Sequence, residues 1–225
     1  MKKVLEELHN QIKELSPVAR LMAVSKTHPY CAIEEAYGLG ERLFGENKVQ
    51  EVESKFPKME DRASDMDVHL IGHLQSNKVK KAVTLVNSID SVDSLKLLRQ
   101  INKRAQEANI VMNVLLEYNT SGDENKSGFD SYTSIKEALI ESKNMENICV
   151  NGLMTLGPLA VSENETKASF NLLKDISIRL VDETGVKLKE LSMGMSGDYK
   201  IALECESTII RVGTKIFGHR DYSKK

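Results

Sequence analysis

Leu21-Met22-Ala23-Val24-Ser25-Lys26, followed at once by Thr27, His28 and Pro29, reads as a buried strand with a lysine at its mouth. Partial desolvation at such a place disfavours the ammonium form and exposes a nucleophilic amine, the property on which Schiff-base lysines rely. A lysine can also end a strand simply to reach water. Which reading holds for Lys26 depends on what the rest of the chain builds around it.

Upstream, Val4, Leu5, Leu8, Ile12 and Leu15 share one face of an amphipathic helix. Met1-Lys2-Lys3 could open a signal peptide, but Glu6, Glu7 and Glu14 interrupt the apolar core that one requires. Downstream, short apolar runs alternate with helical patterns to the C-terminus. Strands are expected at residues 20–26, 42–45, 68–72, 86–89, 113–118, 150–154, 190–193 and 208–212. Between them lie helical stretches such as 94–107, with Leu95, Leu98, Ile101 and Ala105 on one face, and 165–180, with Phe170, Leu173, Ile176 and Leu180. Such alternation implies parallel strands joined by right-handed crossovers. Eight units in 225 residues fit a single α/β domain, residues 1–225, folded as a closed (β/α)₈ TIM barrel with an extra N-terminal helix. An open doubly wound sheet is the alternative, because periodicity does not reveal closure. The longest polar interruption, 119–128, has Gly122 and Gly128 as turn residues and reads as a mobile loop.

Composition narrows the function. Lysine and arginine total 31 against 33 acidic residues, a net charge of −2, which argues against a nucleic-acid or membrane partner. No apolar run approaches membrane-spanning length. Cys31, Cys149 and Cys205 are scattered and odd in number, so they read as reduced thiols of a cytoplasmic protein. In that setting the Asn-x-Ser/Thr triplets at Asn119, Asn125 and Asn164 carry no glycan.

Barrel sites lie at the C-terminal ends of the strands. The residues expected there are Lys26, Asn47, His73, Asp90, Asn119, Thr155, the segment Ser192-Met193-Gly194-Met195-Ser196, and Arg211 with Gly213 and Thr214. Any one has an ordinary structural use as a cap, a turn bond or an ion pair. Together they form a polar ring around one amine. The segment 192–197 and Gly213-Thr214 follow the last two strands, where barrels bind phosphate with backbone N–H groups. Other motifs fail: the glycine pairs Gly152/Gly157 and Gly213/Gly218 have P-loop spacing, but Pro158 and His219 stand where its lysine belongs. His69 and His73, four apart on a strand, are about 13 Å from each other and cannot share a metal.

Six segments carry a resemblance. They are Ala23-Val24-Ser25-Lys26-Thr27, Phe44-Gly45-Glu46-Asn47-Lys48-Val49-Gln50-Glu51, His69-Leu70-Ile71-Gly72-His73-Leu74-Gln75-Ser76-Asn77-Lys78, Asn151-Gly152-Leu153-Met154-Thr155, Leu191-Ser192-Met193-Gly194-Met195-Ser196, and Arg211-Val212-Gly213-Thr214-Lys215-Ile216-Phe217-Gly218. In this order, spanning nearly the whole chain, they resemble the YggS/PROSC family of pyridoxal-phosphate (PLP) homeostasis proteins. The resemblance implies a barrel like the N-terminal domain of fold-type III enzymes such as alanine racemase. It implies PLP held as an internal aldimine on Lys26, its phosphate on Ser196, Gly213 and Thr214, its pyridine nitrogen on Arg211, and its ring lined by Asn47 and Met193.

The function implied is vitamin B6 homeostasis, in which PLP is buffered or delivered to PLP-dependent apo-enzymes by a cytoplasmic monomer that is not itself an enzyme. Residue chemistry agrees: a permanently charged guanidinium at the ring nitrogen makes the cofactor a poorer electron sink than one paired with aspartate. The racemases draw a tyrosine acid/base from a second domain, and nothing in the sequence places Tyr199 or Tyr222 in that role. The competing readings are a PLP-dependent racemase, a cofactor-free aldolase using Lys26, and a module binding a phosphorylated metabolite. One departure from the family pattern is Glu206, where a small residue, usually glycine, precedes the last Ser-Thr pair; it is expected to face solvent at a helix end.

Overall fold

Strand pairing in the computed structural model, which describes residues 1–123, 126–158 and 161–218, closes on itself. The strands are β1 (Arg20–Val24), β2 (Leu43–Glu46), β3 (Asp67–Leu70), β4 (Ser88–Val92), β5 (Met112–Glu117), β6 (Ile148–Met154), β7 (Glu190–Met195) and β8 (Ile209–Val212). Each pairs in parallel with its sequence neighbours, and β8 returns to β1 through Leu21↔Ile210 and Ala23↔Val212. The barrel is therefore closed, and the open-sheet alternative falls. Asn125, His219 and Tyr222, and part of the expected loop 119–128, lie outside the described residues.

The helices are α1 (Lys2–Leu15), α2 (Tyr30–Gly38), α3 (Val49–Lys55), α4 (Val79–Ala82), α5 (Leu95–Glu107), α6 (Tyr132–Ser142), α7 (Glu163–Thr184), α8 (Tyr199–Glu204) and α9 (Thr214–Phe217). α1 is the extra helix, burying Leu5, Leu8 and Ile12; Leu15 ends it partly exposed. α5 starts on Ser94, whose side chain accepts from Leu97 N–H at 3.3 Å. α7 runs beyond the expected 165–180 because a capping box between Ser162 and Glu165 starts it earlier and Gly185, at φ +71°, ends it. None of the helices of the described residues is long and apolar enough to cross a membrane.

Two-residue alternation sorts every strand into two environments. Leu21, Ala23, Phe44, Val68, Leu70, Val114, Leu116, Met193, Ile210 and Val212 join the large apolar layer between strands and helices. Met22, Val24, Leu43, Ile71 and Ile209 form a smaller cluster within the barrel. Of the remaining inward positions Leu115 and Met154 are apolar, and Asp67, His69, Ser88, Asp90, Glu117, Ser192 and Arg211 are polar. These polar groups run from the N-terminal ends of β3 and β4, at Asp67 and Ser88, to the C-terminal end of the barrel at Glu117 and Arg211, where a site can form.

Boundaries differ from the sequence expectation where a run leaves the sheet early or late. Val86 packs below β4, its N–H on the Ala82 carbonyl at the end of α4, so the strand starts at Ser88. β7 continues two residues past its expected end, with a register shift between Ser192 and Met195 and Gly194 at φ +93°. That extension matters for the site.

Candidate functional site

A cavity of about 720 Å³ opens at the C-terminal end of the barrel. β1 delivers Val24 and Lys26 to it, the β2–α3 junction Asn47, the β3 loop Ile71, Gly72 and His73, and β5 Glu117. Met195, Ser196 and Gly197 reach it from the end of β7, and Arg211, Gly213 and Thr214 from β8 and the start of α9. Lys126 and Ser127 enter from the loop after β5, with the Lys126 ammonium donating to Gly157 carbonyl oxygen at 3.0 Å.

Most of the expected ring is thus brought together: Lys26, Asn47, His73, Ser196, Arg211, Gly213 and Thr214 all line one cavity. Asp90, Asn119, Thr155, Ser192, Met193 and Gly194 do not line it. Asp90 lies deeper in the barrel, accepting from His69 Nδ1 at 2.8 Å and from Ser88 Oγ at 2.6 Å. Asn119 folds back onto its own loop, donating to Asp123 carbonyl oxygen at 2.8 Å. Thr155 donates its hydroxyl to Tyr118 carbonyl oxygen, and only its own carbonyl serves the site, accepting from Arg211. Met193 is corrected: Ser192 faces inward to meet Arg211, so Met193 points into the layer beneath the helices, fully buried, and the register shift at Gly194 brings Met195 to the cavity instead.

Arg211 is the best-anchored cation of the site. Its Nη1 donates to Ser192 Oγ and its Nη2 to Thr155 carbonyl oxygen, each at 2.7 Å, and the residue is 3 % exposed. Burial pulls it below the ordinary guanidinium value, and the charges of Asp90, Asp198 and Glu117 oppose that pull. An arginine remains cationic under these conditions. The two glycine-bearing segments meet at the cavity through Ser196, Gly197, Gly213 and Thr214. A Cβ on Gly213 would stand 2.9 Å from the Val24 carbonyl oxygen, so the chain approaches β1 more closely there than a side chain allows. Gly72 is equally constrained, with Asn47 carbonyl oxygen 2.3 Å from where its Cβ would be. Backbone N–H groups in the first turn of a helix lack intrahelical acceptors, and Thr214 opens α9 beside Gly213.

The principal group missed by sequence reasoning is Glu117. Its strand ends there rather than at Tyr118, so the inward acid closing Val114-Leu115-Leu116-Glu117 was passed over for Asn119. Burial, then the nearby charge of Asp93, push its carboxyl up to about 7, against the pull of Arg211 and His73. His73 Nδ1 lies 3.0 Å from Asp93 Oδ2 at the rim. The signal available was an acid two positions from an inward leucine at a strand end. Glu206 proves to be exposed, pairs with Lys174, and adopts φ +66°, which explains why a glycine is expected at that position. Tyr199 is buried on α8, its hydroxyl donating to Gln11 Oε1 and accepting from Lys215 Nζ.

An amine, a buried guanidinium and two glycine-bearing segments around one cavity fit a ligand that carries an aldehyde, a ring acceptor and a phosphate. Comparison with known proteins agrees. The alanine racemase N-terminal domain model matches residues 4–221. A pyridoxal phosphate homeostasis protein of Aquifex aeolicus is 40 % identical over 204 residues, 91 % of this chain and 88 % of that one. The chain belongs to the pyridoxal phosphate homeostasis protein family. Its human relative of that name is 39 % identical over 217 residues, 92 % of this chain and 78 % of the human one. Among solved structures of the family, PipY of Synechococcus elongatus PCC7942 without PLP superposes with a TM-score of 0.90 at 38 % identity, covering 96 % of this chain and 99 % of PipY. PipY with PLP bound gives 0.86 at 36 % identity, covering 96 % and 100 %. Outside the family, an alanine racemase of Clostridium difficile shares the fold at 18 % identity, with a TM-score of 0.76 over 96 % of this chain and 56 % of the enzyme.

Proposed function

We propose that this chain binds PLP in the barrel-mouth cavity and serves vitamin B6 homeostasis, holding the cofactor for release to PLP-dependent apo-enzymes rather than catalysing a reaction with it. The observation that carries the reading is the convergence of Lys26, Arg211 and the Gly213-Thr214 segment on one cavity. The PLP-bound PipY relative supports the choice of ligand. PLP supplies an aldehyde that condenses reversibly with amines.

Each residue then has a role fixed by its chemistry. Lys26 carries the ligand covalently through Nζ. Ser196, Gly213 and Thr214 hold the phosphate, the hydroxyls as donors and the backbone through close approach. Arg211 donates to the pyridine nitrogen and, being a permanent cation, disfavours protonation there, which weakens the electron sink on which amino-acid chemistry depends. Asn47 and Met195 border the ring.

A visible absorption spectrum, followed by borohydride reduction and peptide mapping, tests this. The expected result is a yellow protein whose reduction leaves a phosphopyridoxyl group on Lys26, with none in Lys26→Ala. A protein that stays colourless and unlabelled in excess PLP would overturn the binding reading. Steady amino-acid turnover abolished by Lys26→Ala would overturn its non-catalytic part.

A further inference from the structure

Lys26 is not held by the sheet. β1 ends at Val24, and the next four residues form a tight turn in which Ser25 carbonyl oxygen accepts from His28 N–H at 3.0 Å. Thr27, third in that turn, adopts φ +69°. Turns with a left-handed third residue ordinarily place glycine or asparagine there, and a β-branched threonine resists the conformation. The surroundings must therefore impose it.

They do so from α3. Glu51 Oε2 accepts from Thr27 N–H at 2.7 Å, and Lys55 Nζ donates to Ser25 carbonyl oxygen at 3.0 Å. That carbonyl belongs to the peptide before Lys26 and that N–H to the peptide after it, so both peptides flanking the Lys26 Cα are tied to one helix. Lys55 binds the arrangement together, donating to Glu51 Oε2 at 2.8 Å and to Glu46 Oε1 at 2.9 Å. Ser25 Oγ donates to the same Glu46 oxygen at 2.7 Å. The Glu46 side chain is wholly buried while that of Lys55 is 12 % exposed, so the ammonium is the counter-charge that lets an acid sit behind the strand end. Burial pushes the Glu46 carboxyl up against the opposing pull of Lys55; at Glu51 the bonds from Lys55 and Thr27 overcome burial and hold the carboxyl below its ordinary value.

We propose that Lys55, acting through Glu51 and the Ser25 carbonyl, is a positioning residue that locks the 25–28 turn and so directs the Lys26 amine into the cavity. Met22 and Val24 face the barrel interior, and the locked turn keeps Lys26 in that inward series while the chain departs sharply toward α2. The inference rests on the reading that Lys26 carries PLP. The covalent step joins Nζ to the aldehyde carbon as C=N and expels water, and its equilibrium improves when the amine is already aimed. Binding of the phosphate and ring has no such requirement.

The test compares PLP with pyridoxine 5′-phosphate, which has the phosphate and ring but no aldehyde. Lys55→Met and Glu51→Ala are expected to weaken PLP binding, read from the absorption of the lysine-linked form and from borohydride labelling of Lys26, by about tenfold. Pyridoxine 5′-phosphate, read by calorimetry, should bind both variants within about twofold of the wild type, and Lys55→Arg should recover most of the PLP affinity. If Lys55→Met unfolds because Glu46 loses its counter-charge, Glu51→Ala carries the comparison, since that side chain is partly exposed on the helix. Equal weakening of both ligands would reduce the network to general support of the pocket and overturn the proposal, as would unchanged binding of both. A wild-type protein that borohydride never labels at Lys26 would instead remove the reading beneath it.

Discussion

Glu117→Gln separates the buried acid of the cavity from every other titrating group. The carboxyl closes β5, is 3 % exposed, and is pushed from its ordinary 4.5 up to about 7, chiefly by burial and then by Asp93. An acid whose folded value lies above its unfolded one binds its proton more tightly in the native state. Its contribution to stability is therefore complete below about pH 4.5, is lost as pH rises toward 7, and is absent above. A span of about 2.5 pH units at about 1.36 kcal/mol each puts the loss on the order of 3 kcal/mol. Glutamine fills nearly the same volume and does not ionise. The stability of the variant relative to wild type should thus be constant near pH 4 and climb by that order between pH 4.5 and 8. Urea unfolding of the ligand-free protein at unit steps of pH measures it. Other groups, His69 among them, titrate in both proteins and cancel in the difference. A difference that stays flat from pH 4.5 to 8 would refute the argument that Glu117 is buried near neutrality.

Gly213→Ala drives a methyl to within 2.9 Å of the Val24 carbonyl oxygen, so it should cost about 1–3 kcal/mol and strip PLP from the protein on desalting; normal stability with normal retention would contradict the close approach. Glu206→Gly relieves a left-handed φ of +66° at the loss of one exposed ion pair with Lys174, so the melting temperature should rise by about 2–4 °C, and a fall would show that the pair outweighs the strain. His69 is raised to about 10, burial being outweighed by Asp90 and Asp67, so its stabilising charge is complete below its ordinary 6.5 and is lost as pH climbs to about 10. Unfolding free energy should fall across that window by up to about 1.4 kcal/mol per pH unit, and His69→Gln should flatten the slope; identical slopes would place the titration elsewhere.

The barrel was legible because short apolar runs, such as Leu21-Met22-Ala23-Val24 and Val114-Leu115-Leu116, alternate with helical patterns along the chain. Closure was not, since it depends on β8 meeting β1 across the full length of the chain. At the site, Lys26, Asn47, Arg211, Gly213 and Thr214 were found because they stand just beyond apolar runs. Met193 was misplaced and Glu117 missed for local reasons. β5 ends one residue before hydropathy suggests, which hides Glu117 as its inward last residue, and β7 carries a register shift at Gly194 that sequence alternation does not reveal. The α3 network was invisible, because Lys55 and Glu51 look like an ordinary i, i+4 pair until the Ser25–His28 turn is seen to rest on them.

The inward charges form a series in which each depends on the next. Arg20 pairs with Glu190 at 2.8 Å near the barrel floor, and His69 sits above it between Asp67 at 3.3 Å and Asp90 at 2.8 Å. Arg211 follows, and among the described residues its hydrogen bonds go to two neutral oxygens, with no carboxylate of those residues bonded to it directly. Asp90, whose charge acts on Arg211 as those of Asp198 and Glu117 do, is itself bonded by the imidazolium of His69 on one oxygen and by Ser88 on the other. The protonated histidine therefore competes with the guanidinium for Asp90, and Arg211 faces the cavity beside Glu117, whose carboxyl, raised to about 7, is half ionised at neutral pH.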